Sequence, residues 1–256
     1  MSDIRFAHIE DGVGEIVFNR PEKRNAFTSA MFVEFYDVLR SSEVQALKAV
    51  VIRGEGRSFC GGVDLNEVAN PIKSKAPPSI GVDMAALYRN TRPVLIAAVN
   101  GPTLGLGASI AMSCDMVVAG ETAEFGYPEI HHGLVATFAL VGLCAVVPMR
   151  KAFELAITGR RIPVIEALRL GMINEIAADD QVTDRAVTMA FEIAQYSEEA
   201  VHLTKRFFYE NAELPYSAAA HAADRVTTLM RQTNAAKRQA AVFLSAKAAK
   251  SAGNAQ

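Results

Sequence analysis

Val94-Leu-Ile-Ala-Ala-Val-Asn-Gly-Pro-Thr-Leu-Gly-Leu-Gly-Ala-Ser109 is the stretch on which the fold turns. Val94 to Val99 is an unbroken apolar run of strand length, which suits a strand buried on both faces. A glycine-bearing turn comes next, and a short apolar helix is expected from about Leu106 to Ser113. The same alternation recurs upstream. Val13-Gly-Glu-Ile-Val-Phe18 reads as a strand and Asn19-Arg-Pro-Glu-Lys-Arg-Asn25 as a turn. Thr28 suits the N-cap of a helix that carries Met31, Phe32, Phe35, Val38 and Leu39 on one face. Ala46 to Ile52 reads as a buried strand ended by Arg53-Gly-Glu-Gly-Arg57, and Asp115 to Ala119 as a further strand. Strands that alternate with helices predict an α/β core with parallel pairing.

Past Pro148 the texture changes. Lys151 to Thr158, Pro163 to Leu170, Asp180 to Tyr196, Glu198 to Glu210, Pro215 to Gln232 and Asn234 to Lys250 all read as helices, with no strand between them. The expected division is a core over residues 1–195 and a helical region over 196–256. The last stretch, from Ala235, is rich in alanine and lysine, with Val242, Phe243 and Leu244 its large apolar residues. As an isolated helix it is marginal, so it is expected to dock, on its own chain or on another copy. Pro71 to Ser79 reads as a flexible surface loop.

Composition narrows the function. Half of the 256 residues are hydrophobic and 21% are charged, and 26 cationic against 28 anionic side chains leave a net charge of -2. That balance argues against a protein that coats nucleic acid or an anionic membrane. It leaves room for one small anion held by a local basic patch. Cys60, Cys114 and Cys144 are too few and too scattered for a disulfide framework or a zinc site, and their odd number suggests reduced thiols. The start shows no secretory pattern and no apolar run spans a bilayer, so a cytoplasmic location is expected.

Three segments hold candidate chemistry. Gly56-Arg-Ser-Phe-Cys-Gly-Gly-Val-Asp-Leu65 is a glycine-rich turn after a strand, with Asp64 placed to cap a helix. Asn100 to Ser109 delivers the chain into a helix N-terminus, whose free N–H groups favour a nearby anion. Phe125-Gly-Tyr-Pro-Glu-Ile-His-His-Gly133 sets one carboxylate, Glu129, among apolar and aromatic neighbours, where burial would raise its affinity for protons. Each segment also has a plainer reading. Glycine turns after strands are often only tight turns, and Glu129 after Pro128 can simply favour a helix dipole. His131 and His132 have no third ligand at metal spacing. A dinucleotide site fails because Ile110 stands where Gly105 and Gly107 require a third glycine, and no ribose-binding acid comes after it.

Taken in order, these segments resemble the crotonase family, also called the enoyl-CoA hydratase/isomerase family. The resemblance runs through Asn19 to Phe27, Ser58 to Leu65, Arg92 to Gly101, Phe125 to Glu129 and Thr158-Gly-Arg160. It implies a spiral of β-β-α units with a C-terminal helical region that builds trimers, commonly paired into hexamers. It implies chemistry on acyl-CoA thioesters, with the N–H groups of Val63 and Leu106 stabilising an enolate and Glu129 as general acid/base. It needs no separate cofactor, since coenzyme A is part of the substrate. It lays the CoA moiety near Lys23 and Arg24 and against the backbone at Gly61 and Gly62. Phe243 and Lys247 would approach a neighbouring subunit's CoA.

Ser109 departs from the pattern. Hydratases of the family usually carry a second glutamate there, so the single carboxylate leans towards moving a double bond from β,γ to α,β. Hydration would need a replacement from His131, His132 or Glu124, and the runner-up readings are a hydratase and a catalytically silent CoA-binding homologue. The bulky run Gly133 to Ala139 would line the acyl pocket, which Leu134 and Phe138 would narrow.

Overall fold

The computed structural model describes residues 2–70, 80–233, 236–238 and 240–245. Its strands are β1 (Ile4–His8), β2 (Val13–Phe18), β3 (Ala49–Gly54), β4 (Val94–Val99), β5 (Thr103–Leu104), β6 (Met116–Gly120), β7 (Glu124–Gly126), β8 (Arg161–Pro163) and β9 (Glu175–Ala177). The chain forms two compact units, Met1–Gln195 and Tyr196–Gln256.

Neighbouring residues of one strand enter different cores. In β3, Val50 and Ile52 join the larger hydrophobic cluster, whereas Ala49 and Val51 join a smaller one on the other face. Both faces are therefore dry, which is why β3 and β4 read as continuous apolar runs. The Ser29–Arg40 helix covers the first face with Met31, Phe35 and Leu39. The Val182–Ala194 helix covers the second with Val182, Ala186, Met189 and Ala190. Thr28 caps the first of these helices, accepting from the Met31 N–H at 3.1 Å. Such a cap is worth about 1 kcal/mol.

The six-stranded sheet runs in the order β1-β2-β3-β4-β6-β9, parallel throughout except for the β1–β2 hairpin. A second, smaller layer is built from the short segments just downstream of the long strands. Phe27 bridges Val63, Cys60 bridges Thr103, and β5 pairs with β7, which pairs with β8. Each turn of the chain thus visits the large sheet, then the small layer, then a helix. Phe18 goes to Phe27 and the Ser29–Arg40 helix, and β4 goes to β5 and the Leu106–Ser113 helix. This is the β-β-α spiral, and it stacks the turns at the end of the small layer one above another.

Several elements differ from the sequence reading. β8 and β9 lie beyond Pro148, where an all-helical run is predicted; each has three residues, too few to show a periodicity. Ala46 to Lys48 precede β3 rather than belong to it, because a Ser42–Gln45 helical turn capped by Ser41 ends immediately before them. Thr137–Val146 is a helix, as is Ile80–Asn90. The expected loop at Pro71 to Ser79 lies outside the described residues.

In the second unit, Glu198–Ala212 and Tyr216–Gln232 are helices, and residues 240–245 are helical. Large apolar side chains stand exposed there, among them Phe208, Tyr216, Leu229, Val242, Phe243 and Leu244. Among the described residues no helix is long and apolar enough to cross a membrane.

Candidate active site

The first glycine turn is held by the Phe27–Val63 bridge. Phe27 donates its N–H to the Gly62 carbonyl and accepts from the Asp64 N–H, both at 2.8 Å. In a parallel bridge of this pattern the middle residue, Val63, turns its own N–H away from the partner strand. That N–H has no acceptor among the described residues. Asp64 fixes the turn from behind. It accepts from Arg20 Nη1 at 2.8 Å and from the Asn66 N–H at 2.9 Å, and Arg20 together with that backbone bond holds its carboxyl below the usual aspartate range. The Gly62 N–H points to the Cys60 sulfur at 3.5 Å, and burial pushes that thiol up to about 12, so it stays neutral.

The second turn ends at Gly105, which caps the Leu106–Ser113 helix with φ 51° and ψ −116°. Few side-chain-bearing residues adopt that conformation. The Leu106 N–H, first of the helix, has no acceptor among the described residues, as a helix N-terminus dictates. The two turns are close. A Cβ placed on Gly62, whose φ is +105°, would lie 3.2 Å from the Leu104 carbonyl oxygen and 3.9 Å from the Leu106 nitrogen. The Leu106 donor therefore lies against the turn that carries Val63.

Glu129 reaches the same place from a third turn. β7 pairs with β5, and the Gly105 N–H donates to the Gly126 carbonyl at 2.8 Å. Three residues on, Glu129 lies in the short 3-10 helix Pro128–His132. A Cβ on Gly105 would lie 3.0 Å from Glu129 Oε1, so the carboxyl packs directly on the helix cap. Oε2 is buried and has no hydrogen-bond partner among the described residues. Burial raises the carboxyl above the ordinary glutamate range, opposed by its own backbone N–H and by His132. The result is a half-buried carboxyl with a raised affinity for protons, set against the cap of the helix that begins with the Leu106 N–H. Proton transfer next to a developing oxyanion needs that arrangement.

The family model described as enoyl-CoA hydratase/isomerase matches residues 8–250. The chain belongs to the enoyl-CoA hydratase/isomerase family. It is an enzyme of that hydratase/isomerase type. It is 30% identical over 231 residues to the 2,3-dehydroadipyl-CoA hydratase of Escherichia coli K12, covering 85% of this chain and 86% of that one. It is 35% identical over 198 residues to the mevalonyl-coenzyme A hydratase sidH of Aspergillus fumigatus, covering 74% and 72%. Among solved structures, an enoyl-CoA hydratase from Mycobacterium smegmatis superposes with a TM-score of 0.88 at 25% identity, covering 96% of this chain and 97% of that one. A chain from Thermobifida fusca in complex with CoA gives 0.81 at 27% identity, covering 92% and 95%.

Of the residues singled out for the family's chemistry, Val63, Leu106 and Glu129 come together, with Gly61 and Gly62 on the first turn. Arg24 lies next to that turn, its carbonyl accepting from the Gly61 N–H at 2.8 Å, and Lys23 is exposed beside it. Phe243 is exposed in the second unit, and Lys247 lies outside the described residues. Ser109 shares a helix with Leu106, but its hydroxyl donates to the Gly105 carbonyl at 3.0 Å. His131 is engaged by the Thr158 carbonyl at 2.8 Å, and Glu124 is exposed at the start of β7. Two contributors escape a sequence reading. Arg20 braces Asp64 from 44 residues away, and Tyr127, legible only as an apolar neighbour of Glu129, brings a buried hydroxyl.

Proposed function

We propose that this enzyme converts β,γ-enoyl-CoA thioesters to their α,β isomers by a proton shift that uses one carboxylate. The observation that carries the reading is the unequal state of the two groups facing this site. Glu129 has a buried oxygen with no partner among the described residues and a raised affinity for protons, whereas the Ser109 hydroxyl is committed to the Gly105 carbonyl. In this reading the thioester carbonyl accepts from the Val63 and Leu106 N–H groups. Glu129 removes a proton from Cα, the electrons spread over the dienolate, and the protonated Glu129 returns the proton at Cγ. No net atom is gained or lost. Each backbone donor is worth about 2.7–4 kcal/mol of transition-state stabilisation, and the base about a hundred- to ten-thousandfold in rate.

CoA is assigned to the backbone at Gly61 and Gly62 with Lys23 and Arg24 facing its phosphates. Covering by further copies of the chain is assigned to the exposed apolar residues of the second unit, with Phe243 near the neighbour's CoA. The names of the relatives favour a second reading, hydration of an α,β-enoyl-CoA.

Incubation with a β,γ-enoyl-CoA, and separately with an α,β-enoyl-CoA in water, decides between them. Conjugation without hydration is expected. Hydration without conjugation would overturn the isomerase reading. If neither reaction occurs, the catalytically silent homologue is the surviving account.

A further inference from the structure

Two buried side-chain oxygens on the turn that carries Glu129 have no hydrogen-bond partner among the described residues, Glu129 Oε2 and the hydroxyl of Tyr127, so they are not bonded to each other in the unliganded chain. They belong to residues on either side of Pro128, on the turn that leaves β7. Tyr127 is fully buried, its ring part of the larger hydrophobic cluster. Packing alone does not call for a phenol there. Phenylalanine fills the same volume without leaving a buried polar atom unpaired, a state that burial penalises.

The titratable groups felt at this hydroxyl are Glu129 on its own turn and Cys144 on the facing Thr137–Val146 helix. Burial, then the Glu129 charge, then Cys144 hold the phenol well above its usual range, so it keeps its proton and can donate. Facing Glu129 are His132 on its own turn, Tyr127, and the Gly105 end of the Leu106–Ser113 helix. Hydrogen bonds of catalytic groups often stand long in an unliganded site and tighten around substrate.

We propose that Tyr127 is a positioning residue whose hydroxyl donates to the Oε2 side of Glu129, leaving Oε1, the oxygen nearer Gly105, to handle the substrate proton. The inference rests on Glu129 being the base. It gives that base an orienting partner that Ser109, bonded to Gly105, does not supply. A donor to the carboxylate favours its charged form, so it works against the upward push of burial.

The test is the pH dependence of kcat and kcat/KM in the full chain carrying Tyr127→Phe, with the isomerisation or hydration substrate that the wild type turns over. The acid limb of kcat/KM should move up by about one pH unit, with plateau kcat lowered about tenfold and KM within about a factor of two. Fluorotyrosine in place of Tyr127 keeps the ring and the hydroxyl but makes the phenol a stronger donor, and the limb should move down. An acid limb that stays at its wild-type position in the fluorotyrosine protein overturns the inference, even if the Phe variant does not fold. So does a shift of opposite sign in either protein. Glu129→Gln is measured in parallel. A loss of about a hundredfold or more keeps Glu129 as the base whatever Tyr127 does, and retained activity removes the base assignment and this inference with it.

Discussion

Gly105→Ala separates catalytic geometry from stability, because a second glycine serves as its control. Gly105 and Gly171 both have positive φ, +51° and +76°. A Cβ on Gly171 would meet nothing within 4 Å, whereas one on Gly105 would stand 3.0 Å from Glu129 Oε1 and 3.5 Å from its Cδ. Backbone strain alone predicts a loss of about 1–2 kcal/mol for Gly171→Ala and about 1–3 kcal/mol for Gly105→Ala. In a chain of this size each kcal/mol lowers Tm by roughly 2–4 °C. The catalytic consequences should diverge. At Gly105 the carboxyl must withdraw by a few tenths of an ångström, and the adjacent Leu106 N–H must turn as φ relaxes. A misplacement approaching 1 Å costs about a hundredfold in rate. Gly105→Ala should therefore lose most of its kcat while remaining folded at room temperature, and Gly171→Ala should keep wild-type kcat despite a comparable drop in Tm. Steady-state kinetics and thermal melts on the two purified variants suffice. Equal kcat in both variants would refute the claim that the cap at Gly105 sets the position of the Glu129 carboxyl.

Glu129→Gln should be more thermostable than the wild type at neutral pH while losing about a hundredfold or more in kcat. The sign comes from the raised folded pKa, which makes the charged carboxyl a burden that the amide lacks. The stability gap should vanish below the ordinary glutamate value of 4.5 and open as pH rises through the folded pKa, as melts across that range would show. Ser109→Ala should leave the β,γ to α,β conversion at wild-type rate, with stability unchanged or slightly raised, because a back-bonded serine mildly opposes its helix. A loss of about tenfold or more in kcat would place the hydroxyl on the substrate instead. Asp64→Ala removes a helix cap and leaves Arg20, 18% exposed at its side chain, without this partner. It should cost about 2–4 kcal/mol in chemical denaturation and raise KM by loosening the Val63 turn.

How much of each element is legible in the sequence depends on its length. Val94 to Val99 and the Thr28 and Asp64 caps are legible because each rests on several residues or on one well-defined bond. The small layer is not. β5 has two residues, β7 and β8 three, and two of its links are single bridges, so no periodicity marks them. Thr137–Val146 is apolar nearly all round, which reads as a pocket lining as readily as a helix. The resemblance supplies Val63, Leu106 and Glu129 as positions, but their convergence depends on contacts far apart in the chain. The state of Ser109 is likewise hidden. Its identity announces a missing acid, and only the bond to the Gly105 carbonyl shows the hydroxyl to be committed elsewhere.

The bond from the Gly105 N–H to the Gly126 carbonyl joins the cap that carries the Leu106 donor to the turn that carries Glu129. The Leu106 N–H and the Glu129 carboxyl are therefore tied through a single peptide contact, which should displace them as a pair rather than against each other. In hydrogen-exchange terms, the Gly105 amide is the proton to watch. Its protection should report how long the site keeps its geometry, including during openings too brief or too local to alter the rest of the sheet.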